Sequence, residues 1–257
     1  AFFERENQEK AAQILKDRDI DGLVVVGGDG SIQGAEVLSK LGIPTVTLPG
    51  TIDNDMHGTD ETIGHDTAVN VVVSAVSRIR DSASAHERAA IVEVMGRFAG
   101  HIALDAGLAC GAEYILVPEV PFSREKLARS LMGQMKAGRT NSIIICAEGA
   151  DHGHALGDWL SERTGIDICT TTLGFIQRGG QPTARDCQLG SILGAAAVKA
   201  LLDGETAALV GMQHGKVRVL SYEEAKKEKE PFQRGLYDLS VMLGAAQTEG
   251  TIEESGL

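Results

Sequence analysis

The chain has 257 residues, of which 43% are hydrophobic, so it is long enough for one large domain or two smaller ones with packed cores. Its net charge of -12 at pH 7 argues against a nucleic-acid or anionic-membrane partner, because either would require a basic surface. Only 4% of the residues are aromatic and 31 are glycine, so the interior must consist of Val, Ile, Leu and Ala. Such an interior is typical of parallel sheets covered by helices.

Four cysteines are spread along the chain without a C-x-x-C pair: Cys110, Cys146, Cys169 and Cys187. This spacing favours reduced thiols in a cytoplasmic protein over a disulfide framework or a zinc site. No stretch resembles a signal peptide, and no apolar run is long enough to cross a bilayer. We therefore expect a cytoplasmic protein.

Hydrophobic periodicity predicts alternating helices and strands along most of the chain. The predicted helices are 4–17, 31–41, 67–82, 100–111, 123–137, 156–164 and 182–204. The predicted strands are 22–31 with its turn, 44–50, 89–96, 113–119, 142–149 and 166–173. Residues 208–221 predict a hairpin that turns at His214 and Gly215, and two amphipathic segments follow it. We expect the polar tail 247–257 to be mobile.

This alternation predicts an α/β fold that is doubly wound, with mostly parallel sheets and helices on both faces. In such sheets, ligands bind beyond the carboxyl ends of the strands. Four unusual segments lie at the carboxyl ends of predicted strands: 27–31, 49–68, 95–100 and 147–149. We expect them to converge on one cleft.

The first segment is "GGDGS", residues 27–31. A strand that passes through glycines into a helix directs backbone N–H groups at one point, which suits a phosphate. Asp29 can hold a Mg²⁺ ion that bridges phosphate oxygens. The same five residues are equally compatible with a tight turn and a capping aspartate, so alone they indicate a nucleotide site at best.

The second segment is the acidic loop "PGTIDNDMHGTDETIGHDTA", residues 49–68, and no Lys or Arg occurs between Lys40 and Arg78. Asp53 can reach a substrate hydroxyl as a general base, and Asp55 can serve a metal ion. A solvated turn rich in Asp and Asn is the commoner explanation on composition alone. The absence of nearby basic residues favours a site where metal or substrate balances the charge.

Arginines recur at positions where anions could bind. Arg80 and Arg88 lie at and beyond the end of a predicted helix, Arg97 follows a strand, and Arg178 stands in "GFIQRGGQP". Arginine binds phosphate through paired hydrogen bonds, and neighbouring glycines admit the ligand. Any one of the four is most simply a surface charge, but the recurrence favours an anionic substrate.

In this order and spacing, "GGDGS", "PGTIDND", "TIG..TA", "VEVMGR.AG", "VPE" and "LG.IQRGG.P" resemble the motifs of bacterial-type ATP-dependent 6-phosphofructokinases. That family phosphorylates the 1-hydroxyl of fructose 6-phosphate with MgATP in glycolysis, as a homotetramer. The resemblance implies two similar α/β lobes: residues 1–64 belong to a nucleotide-binding lobe and 65–185 form a sugar-phosphate-binding lobe. Residues 186–246 would return to the first lobe as C-terminal helices and a hairpin.

The resemblance also implies roles for individual residues. Asp53 would accept the proton of the sugar hydroxyl, and Thr51 and Arg97 would stabilise the transferring phosphoryl group. Asp29 would hold Mg²⁺, with Asp55 nearby. The residues implied to line ATP are Gly28, Asp29, Gly30 and Ser31. Those implied to meet the sugar phosphate are Thr51, Ile52, Asp53, Met95, Gly96, Arg97, Glu148, Phe175 and Arg178, with Arg88 coming from a neighbouring subunit.

Two further implications concern the effector and the phosphoryl donor. Arg80, Gly111, Glu113 and Arg139 fit an effector pocket for ADP or phosphoenolpyruvate, although Asn141 replaces a residue that is often histidine. Pyrophosphate-dependent relatives typically have aspartate in place of Gly30 and lysine in place of Gly50. An aspartate there would occupy the space of the ATP α-phosphate, so both glycines favour ATP.

The chain departs from the family in two respects. The family begins with a strand and a "GGDxxGxN" phosphate loop, and we expect this chain to start beyond them. Cys169 and Phe175 stand where the family has arginine and histidine, and each charged hydrogen bond to the 6-phosphate is worth about 1.5–3 kcal/mol. These changes leave two alternatives open, a weakly active regulatory homologue and a kinase for a different sugar phosphate.

Overall fold

A computed structural model describes residues 4–227 and 232–245. The helices are α1 Arg5–Asp17, α2 Asp29–Lys40, α3 His65–Ala85, α4 His101–Cys110, α5 Arg124–Lys136, α6 Gly153–Thr164, α7 Ala184–Leu202, α8 Tyr222–Ala225 and α9 Arg234–Ala245. The strands are β1 Leu23–Gly27, β2 Thr45–Thr51, β3 Ile63–Gly64, β4 Ala89–Val94, β5 Tyr114–Leu116, β6 Ser142–Ala147, β7 Ile168–Thr172, β8 Ala208–Gln213 and β9 Lys216–Ser221. A 3₁₀-helix, Gly174–Arg178, follows β7. The predicted mobile tail, 247–257, lies outside the described residues.

The described residues form two compact units. Unit 1 contains residues 4–66 and 182–227, and its strand order is β1-β2-β8-β9, with β3 also paired to β2. All of its pairings are parallel except that of β8 with β9. Its core lies between β2, β8 and α7 and includes Val46, Leu193 and Val210, each with no exposed surface.

Unit 2 contains residues 67–181 and 232–245, and its sheet has the all-parallel order β5-β6-β4-β7. Every residue of β6, "SIIICA", is buried. A parallel strand covered on both faces must be apolar throughout, which is why this segment is a continuous apolar run rather than an alternating one. Helices α5 and α6 pack on the sheet through Leu131, Leu156 and Leu160.

The α/β class with largely parallel sheets flanked by helices is confirmed. The predicted hairpin is also confirmed, with Gln213 opposite Lys216 and both turn residues, His214 and Gly215, at positive φ. A two-residue turn of this kind matches the twist of the strands that it joins. The short strand β3 and the 3₁₀-helix were not predicted, because neither is long enough to show a periodic pattern.

Helix α9 does not follow the sequence-based boundaries. The prediction returned all of 186–246 to the first lobe, but α9 packs in unit 2 against α4 and β5. Gly244 permits this contact, because a Cβ atom there would lie 2.5 Å from the carbonyl oxygen of Glu113. Among the described residues, no helix combines the length and the apolar character that crossing a bilayer requires.

Candidate active site

Strands β1 and β2 bring the first two predicted segments side by side in unit 1. The strands pair in register, with Gly27 opposite Pro49, so "GGDGS" and the acidic loop begin at the same level. Helix α2 starts at Asp29, two residues before its predicted start, and its N-cap is Gly28. A Cβ atom at Gly28 would lie 3.7 Å from the Cβ atom of Thr51. The predicted phosphate turn and Thr51 are therefore neighbours.

The glycines of this turn differ in what surrounds them. A Cβ atom at Gly27 would overlap the Ser31 side chain, so Gly27 is required by packing. A Cβ atom at Gly30 would meet no heavy atom within 4 Å. At Gly50, by contrast, it would lie 2.7 Å from Cγ1 of Val26. Gly30 thus leaves open space at the start of α2, whereas Gly50 lets β1 and β2 approach closely.

Asn54 holds the acidic loop in its conformation. It is buried and adopts a left-handed backbone conformation with φ of 52°, which Asn tolerates better than most residues. Its Oδ1 accepts hydrogen bonds from the backbone N–H of Thr62 at 2.8 Å and the hydroxyl of Thr62 at 3.1 Å, and its Nδ2 donates to the Asp60 carbonyl at 3.3 Å. Asn54, which stands between Asp53 and Asp55 in sequence, therefore holds the two sides of the loop together. Sequence reasoning did not predict this role.

Other bonds fix the backbone on either side of Asp53. The Thr62 hydroxyl donates to the Thr51 carbonyl at 2.7 Å, and Nδ1 of His65 donates to the Ile52 carbonyl at 2.7 Å. The N–H of Asp53 donates to the Thr51 hydroxyl at 3.3 Å. Asp53 itself is half-buried and Asp55 is exposed. The Asp53 and Asp55 carboxylates thus extend from a loop whose backbone is fixed by hydrogen bonds within residues 51–65.

The absence of nearby Lys and Arg in the sequence does not mean that the loop lacks basic partners. Arg185, from α7, forms a two-bond ion pair with Glu61. This pair spans more than a hundred residues of sequence, so local composition could not reveal it. The negative charge of Glu61 is therefore offset by an arginine that the fold brings to it.

The predicted metal ligands, Asp29 and Asp55, supply carboxylate oxygens, which Mg²⁺ prefers. Within the part of the chain that the structure describes, no group of three or more His, Cys, Asp or Glu side chains is arranged to hold a metal ion. A nucleotide-bound Mg²⁺ takes most of its ligands from phosphates and water, so one or two carboxylates suffice. The donor set fits an ion that arrives with a nucleotide better than a resident one.

Of the predicted sugar-phosphate residues, Thr51, Ile52 and Asp53 lie in unit 1 and the others lie in unit 2. The loop after β4 carries three of those in unit 2. Gly96 and Arg97 both have positive φ, 140° and 52°, and a Cβ atom at Gly96 would overlap the Ala99 carbonyl. The N–H of Arg97 donates to Oε1 of Glu148 at 2.8 Å. Glu148 thus holds this loop, in addition to its predicted contact with the substrate.

Phe175 and Arg178 are brought together by the 3₁₀-helix. The Phe175 ring is 78% exposed, and the guanidinium carbon of Arg178 lies 5.3 Å from its centroid. A cation over an aromatic face at this distance is attractive. Phe175 therefore orients Arg178 by stacking, where histidine would add a hydrogen-bond donor. Cys169, on β7, is half-buried and has a free thiol.

Arg88, which the resemblance assigns to a neighbouring subunit's substrate, pairs within its own unit. Its Nε lies 2.7 Å from Oδ2 of Asp167, and both side chains are largely exposed. An exposed ion pair contributes less than about 1 kcal/mol, so Arg88 can exchange this partner for a phosphate at little cost.

The four predicted effector residues form one cluster in unit 2. The Arg80 guanidinium donates to the carbonyls of Cys110 and Gly111 at 2.9 and 3.0 Å, and it lies 3.6 Å from Glu113. Arg139 donates to Oε1 of Glu113 at 2.8 Å, and Oε2 of Glu113 accepts the N–H of Ile143 at 2.7 Å. Two guanidinium groups share one carboxylate, so the cluster retains a positive charge.

Comparison with known proteins identifies the family. The profile for phosphofructokinase matches residues 1–201. The chain belongs to the phosphofructokinase family. It is 48% identical over 239 residues to ATP-dependent 6-phosphofructokinase 1 of Clostridium perfringens (strain 13 / Type A), covering 93% of this chain and 75% of that protein. It is 49% identical over 243 residues to ATP-dependent 6-phosphofructokinase of Paenibacillus macquariensis, covering 94% and 76%.

Solved phosphofructokinase structures share this fold. Phosphofructokinase from Saccharomyces cerevisiae matches with a TM-score of 0.82 at 29% identity, over 96% of this chain and 37% of that one. Pyrophosphate-dependent phosphofructokinase from Marinobacter aquaeolei matches with a TM-score of 0.81 at 22% identity, over 99% and 75%. The second likeness shows the fold alone. The chain is thus a phosphofructokinase homologue related to ATP-dependent 6-phosphofructokinases.

We expect Asn54→Ala to lower the free energy of unfolding by about 2–4 kcal/mol, because a non-glycine residue must then hold positive φ and a buried N–H loses its acceptor. Asn54→Gly is the matched control: it relieves the backbone strain but also loses the bonds. Urea unfolding should therefore rank the wild type above Asn54→Gly, and that variant above Asn54→Ala. Equal stability of all three would show that the loop does not depend on Asn54.

Proposed function

We propose that this chain transfers the γ-phosphoryl group of MgATP to the 1-hydroxyl of fructose 6-phosphate. The observation that carries the proposal is the acidic loop, where Asn54 and Thr62 fix Asp53 immediately after β2. The sequence relatives support it, since those reported above are ATP-dependent 6-phosphofructokinases and are 48–49% identical to this chain.

In the proposed reaction, Asp53 accepts the proton of the 1-hydroxyl as that oxygen attacks the γ-phosphorus. The bond from the γ-phosphorus to the β–γ bridging oxygen breaks, and ADP carries the electron pair away. Thr51 and Arg97 donate hydrogen bonds to the transferred group, where negative charge spreads over its oxygens. Asp29 and Asp55 would hold Mg²⁺, which neutralises charge on the nucleotide phosphates.

The start of α2 supports ATP as the phosphoryl donor. Gly28, Gly30 and Ser31 belong to the turn and first helical residues, whose N–H groups favour anions. The open space at Gly30 accommodates a phosphate beyond the transferred one, as ATP requires. A lysine at Gly50 would displace Val26, so the packing of this sheet also disfavours the residue typical of pyrophosphate-dependent enzymes.

Unit 2 would bind the sugar phosphate through the Met95–Arg97 loop, Glu148 and Arg178. The Arg178 guanidinium is held over the Phe175 ring, and a guanidinium matches phosphate oxygens in pairs. We also infer a homo-oligomer, a tetramer by resemblance to the family, in which the exposed Arg88 reaches a neighbouring subunit's substrate.

A kinase for a different sugar phosphate is the second candidate, and Phe175 favours it. An exposed phenyl ring stands where the family has histidine, and the thiol of Cys169 stands where it has arginine. Both changes remove donors for a 6-phosphate. A substrate with its phosphate elsewhere, or with an apolar group against Phe175, would bind better.

Regulation is proposed at the Glu113 cluster. Its two guanidinium groups suit a diphosphate or a phosphate–carboxylate pair, so ADP and phosphoenolpyruvate are both candidate effectors. The half-exposed arginines can turn to such a ligand, while Glu113 remains bonded to the β6 backbone.

We expect Asp53→Asn to lower kcat by about 10²–10⁴-fold, because asparagine keeps the shape of the side chain but cannot accept a proton. The free energy of unfolding should change by less than about 1 kcal/mol. The measurement is a coupled assay of ADP release, with Asp158→Asn on the surface of α6 as the control. If Asp53→Asn retained a kcat close to that of the wild type, the assignment of Asp53 as the general base would be wrong.

For the substrate, we expect the double change Cys169→Arg and Phe175→His to lower KM for fructose 6-phosphate about tenfold or more, since each charged hydrogen bond contributes about 1.5–3 kcal/mol. The contacts exist in both ground and transition states, so kcat should change little. Steady-state kinetics with several sugar phosphates is the measurement. No gain with fructose 6-phosphate, or loss of activity with another sugar phosphate, would favour the second candidate.

For the effector site, we expect Arg139→Met to weaken ADP binding about tenfold or more, because the diphosphate loses a charged hydrogen bond. Isothermal titration with ADP and, separately, phosphoenolpyruvate measures this and identifies the ligand. Arg129 is an exposed arginine on α5, the helix that precedes Arg139. The variant Arg129→Met should bind both ligands with the affinity of the wild type. Equal affinities of both variants for both ligands would remove the effector assignment.

A further inference from the structure

We propose that Gln177 is a positioning residue that couples the Met95–Arg97 loop to the 3₁₀-helix carrying Phe175 and Arg178. The Gln177 side chain is 1% exposed. Its Oε1 accepts the N–H of Met95 at 3.2 Å, and its Nε2 donates to the carbonyl of Gly174 at 3.1 Å. One amide thus ties together two backbone segments that are about eighty residues apart in sequence. This inference rests on the proposed function of those segments.

Both segments need an external constraint. Arg97 and Gly174 have positive φ, 52° and 50°, and Gly96 has 140°, so neither segment is a continuation of a helix or strand. An arginine in this region is held there by its surroundings rather than by its own preference. Glu148 holds the N–H of Arg97 and Glu119 holds the N–H of Gly100, at 2.8 and 2.7 Å. Gln177 adds the bond at Met95, where the loop leaves β4.

The chemistry at this position requires a neutral amide. One partner is an N–H donor and the other is a carbonyl acceptor, so the side chain must accept at one atom and donate at the other. Methionine matches the volume but forms neither bond. A glutamate carboxylate accepts from Met95 but confronts the Gly174 carbonyl with a second acceptor. A protonated glutamic acid satisfies both partners again.

The consequence concerns substrate affinity and turnover together. If the bond from Met95 to Gln177 is lost, the position of the Met95–Arg97 loop relative to Arg178 is no longer fixed by it. The sugar phosphate then loses alignment with Arg178, and the transferring phosphoryl group loses alignment with Arg97. The nucleotide contacts proposed for α2 belong to unit 1 and would not involve this bridge.

The test compares Gln177→Met, Gln177→Glu and the control Gln134→Met in the full chain. Gln134 is a second buried glutamine of unit 2, and it accepts a hydrogen bond from Ser142 on β6 instead. For Gln177→Met we expect KM for fructose 6-phosphate to rise about tenfold and kcat to fall about tenfold, as expected for two lost hydrogen bonds of ordinary strength. KM for ATP should stay within about twofold, and Gln134→Met should show neither change.

Gln177→Glu provides a readout that a merely structural role would not give. Burial raises the pKa of an introduced carboxyl group. Below that pKa the neutral acid donates to Gly174 and replaces the amide, and above it the carboxylate cannot. The ratio of its KM for fructose 6-phosphate to that of the wild type should therefore approach one at low pH and increase as pH rises. A ratio that stays well above one at every pH would overturn the proposal, because the neutral acid would then have failed to replace the amide. Gln177→Glu provides the test if Gln177→Met does not fold.

Hydrogen exchange separates this proposal from the proposed function. In Gln177→Met, the amides of residues 93–100 and 173–179 should both exchange faster than in the wild type and in Gln134→Met. An inactive wild type with this exchange pattern would remove the kinase assignment and retain the coupling. Faster exchange in only one segment, or in neither, would remove the coupling itself.

Discussion

The hydrogen bond on which the candidate site depends most joins a side-chain oxygen to the backbone N–H of a loop that follows a parallel strand. Asn54 accepts such a bond from Thr62, Glu148 accepts one from Arg97, and Gln177 accepts one from Met95. Parallel strands satisfy their own polar groups, but a loop leaving a buried sheet cannot, and an unmet buried N–H is costly. Each loop with a proposed role is therefore shaped by a polar side chain that is itself fixed by packing.

These hydrogen bonds hold backbone segments that contain residues with positive φ. Asn54 and Arg97, both at φ of 52°, occupy a backbone region that side chains disfavour, and each lies in a bonded loop. The strain is tolerated because neighbouring bonds outweigh it, and its effect is to turn functional groups away from the path of the strand. Asn54 does this between Asp53 and Asp55, so the two carboxylates flank the residue that holds the loop.

Arginines divide into those that are held for a ligand and those that stabilise the fold. Arg185 forms an ion pair with Glu61, so its positive charge offsets one negative charge of the acidic loop. Arg80 and Arg139 share Glu113, and Arg178 rests on the Phe175 ring, so each guanidinium is oriented but retains donors. Orientation without neutralisation lowers the entropy cost of binding an anion. It also explains how a chain with a net charge of -12 can offer anion sites.

Local sequence determined the order of helices and strands, the hairpin at His214-Gly215 and the positions of the motifs, because these depend on periodicity, turn chemistry and residues close in sequence. Tertiary structure alone decided that Arg185 pairs with Glu61, that Gln177 bridges Met95 to Gly174, and that α9 packs in unit 2. These contacts join residues far apart in sequence, and no residue type or spacing specifies such a partner. Asn54 lies between the two cases: asparagine as a residue type tolerates left-handed backbone, but the bonds of Asn54 to Thr62 form only in the folded loop.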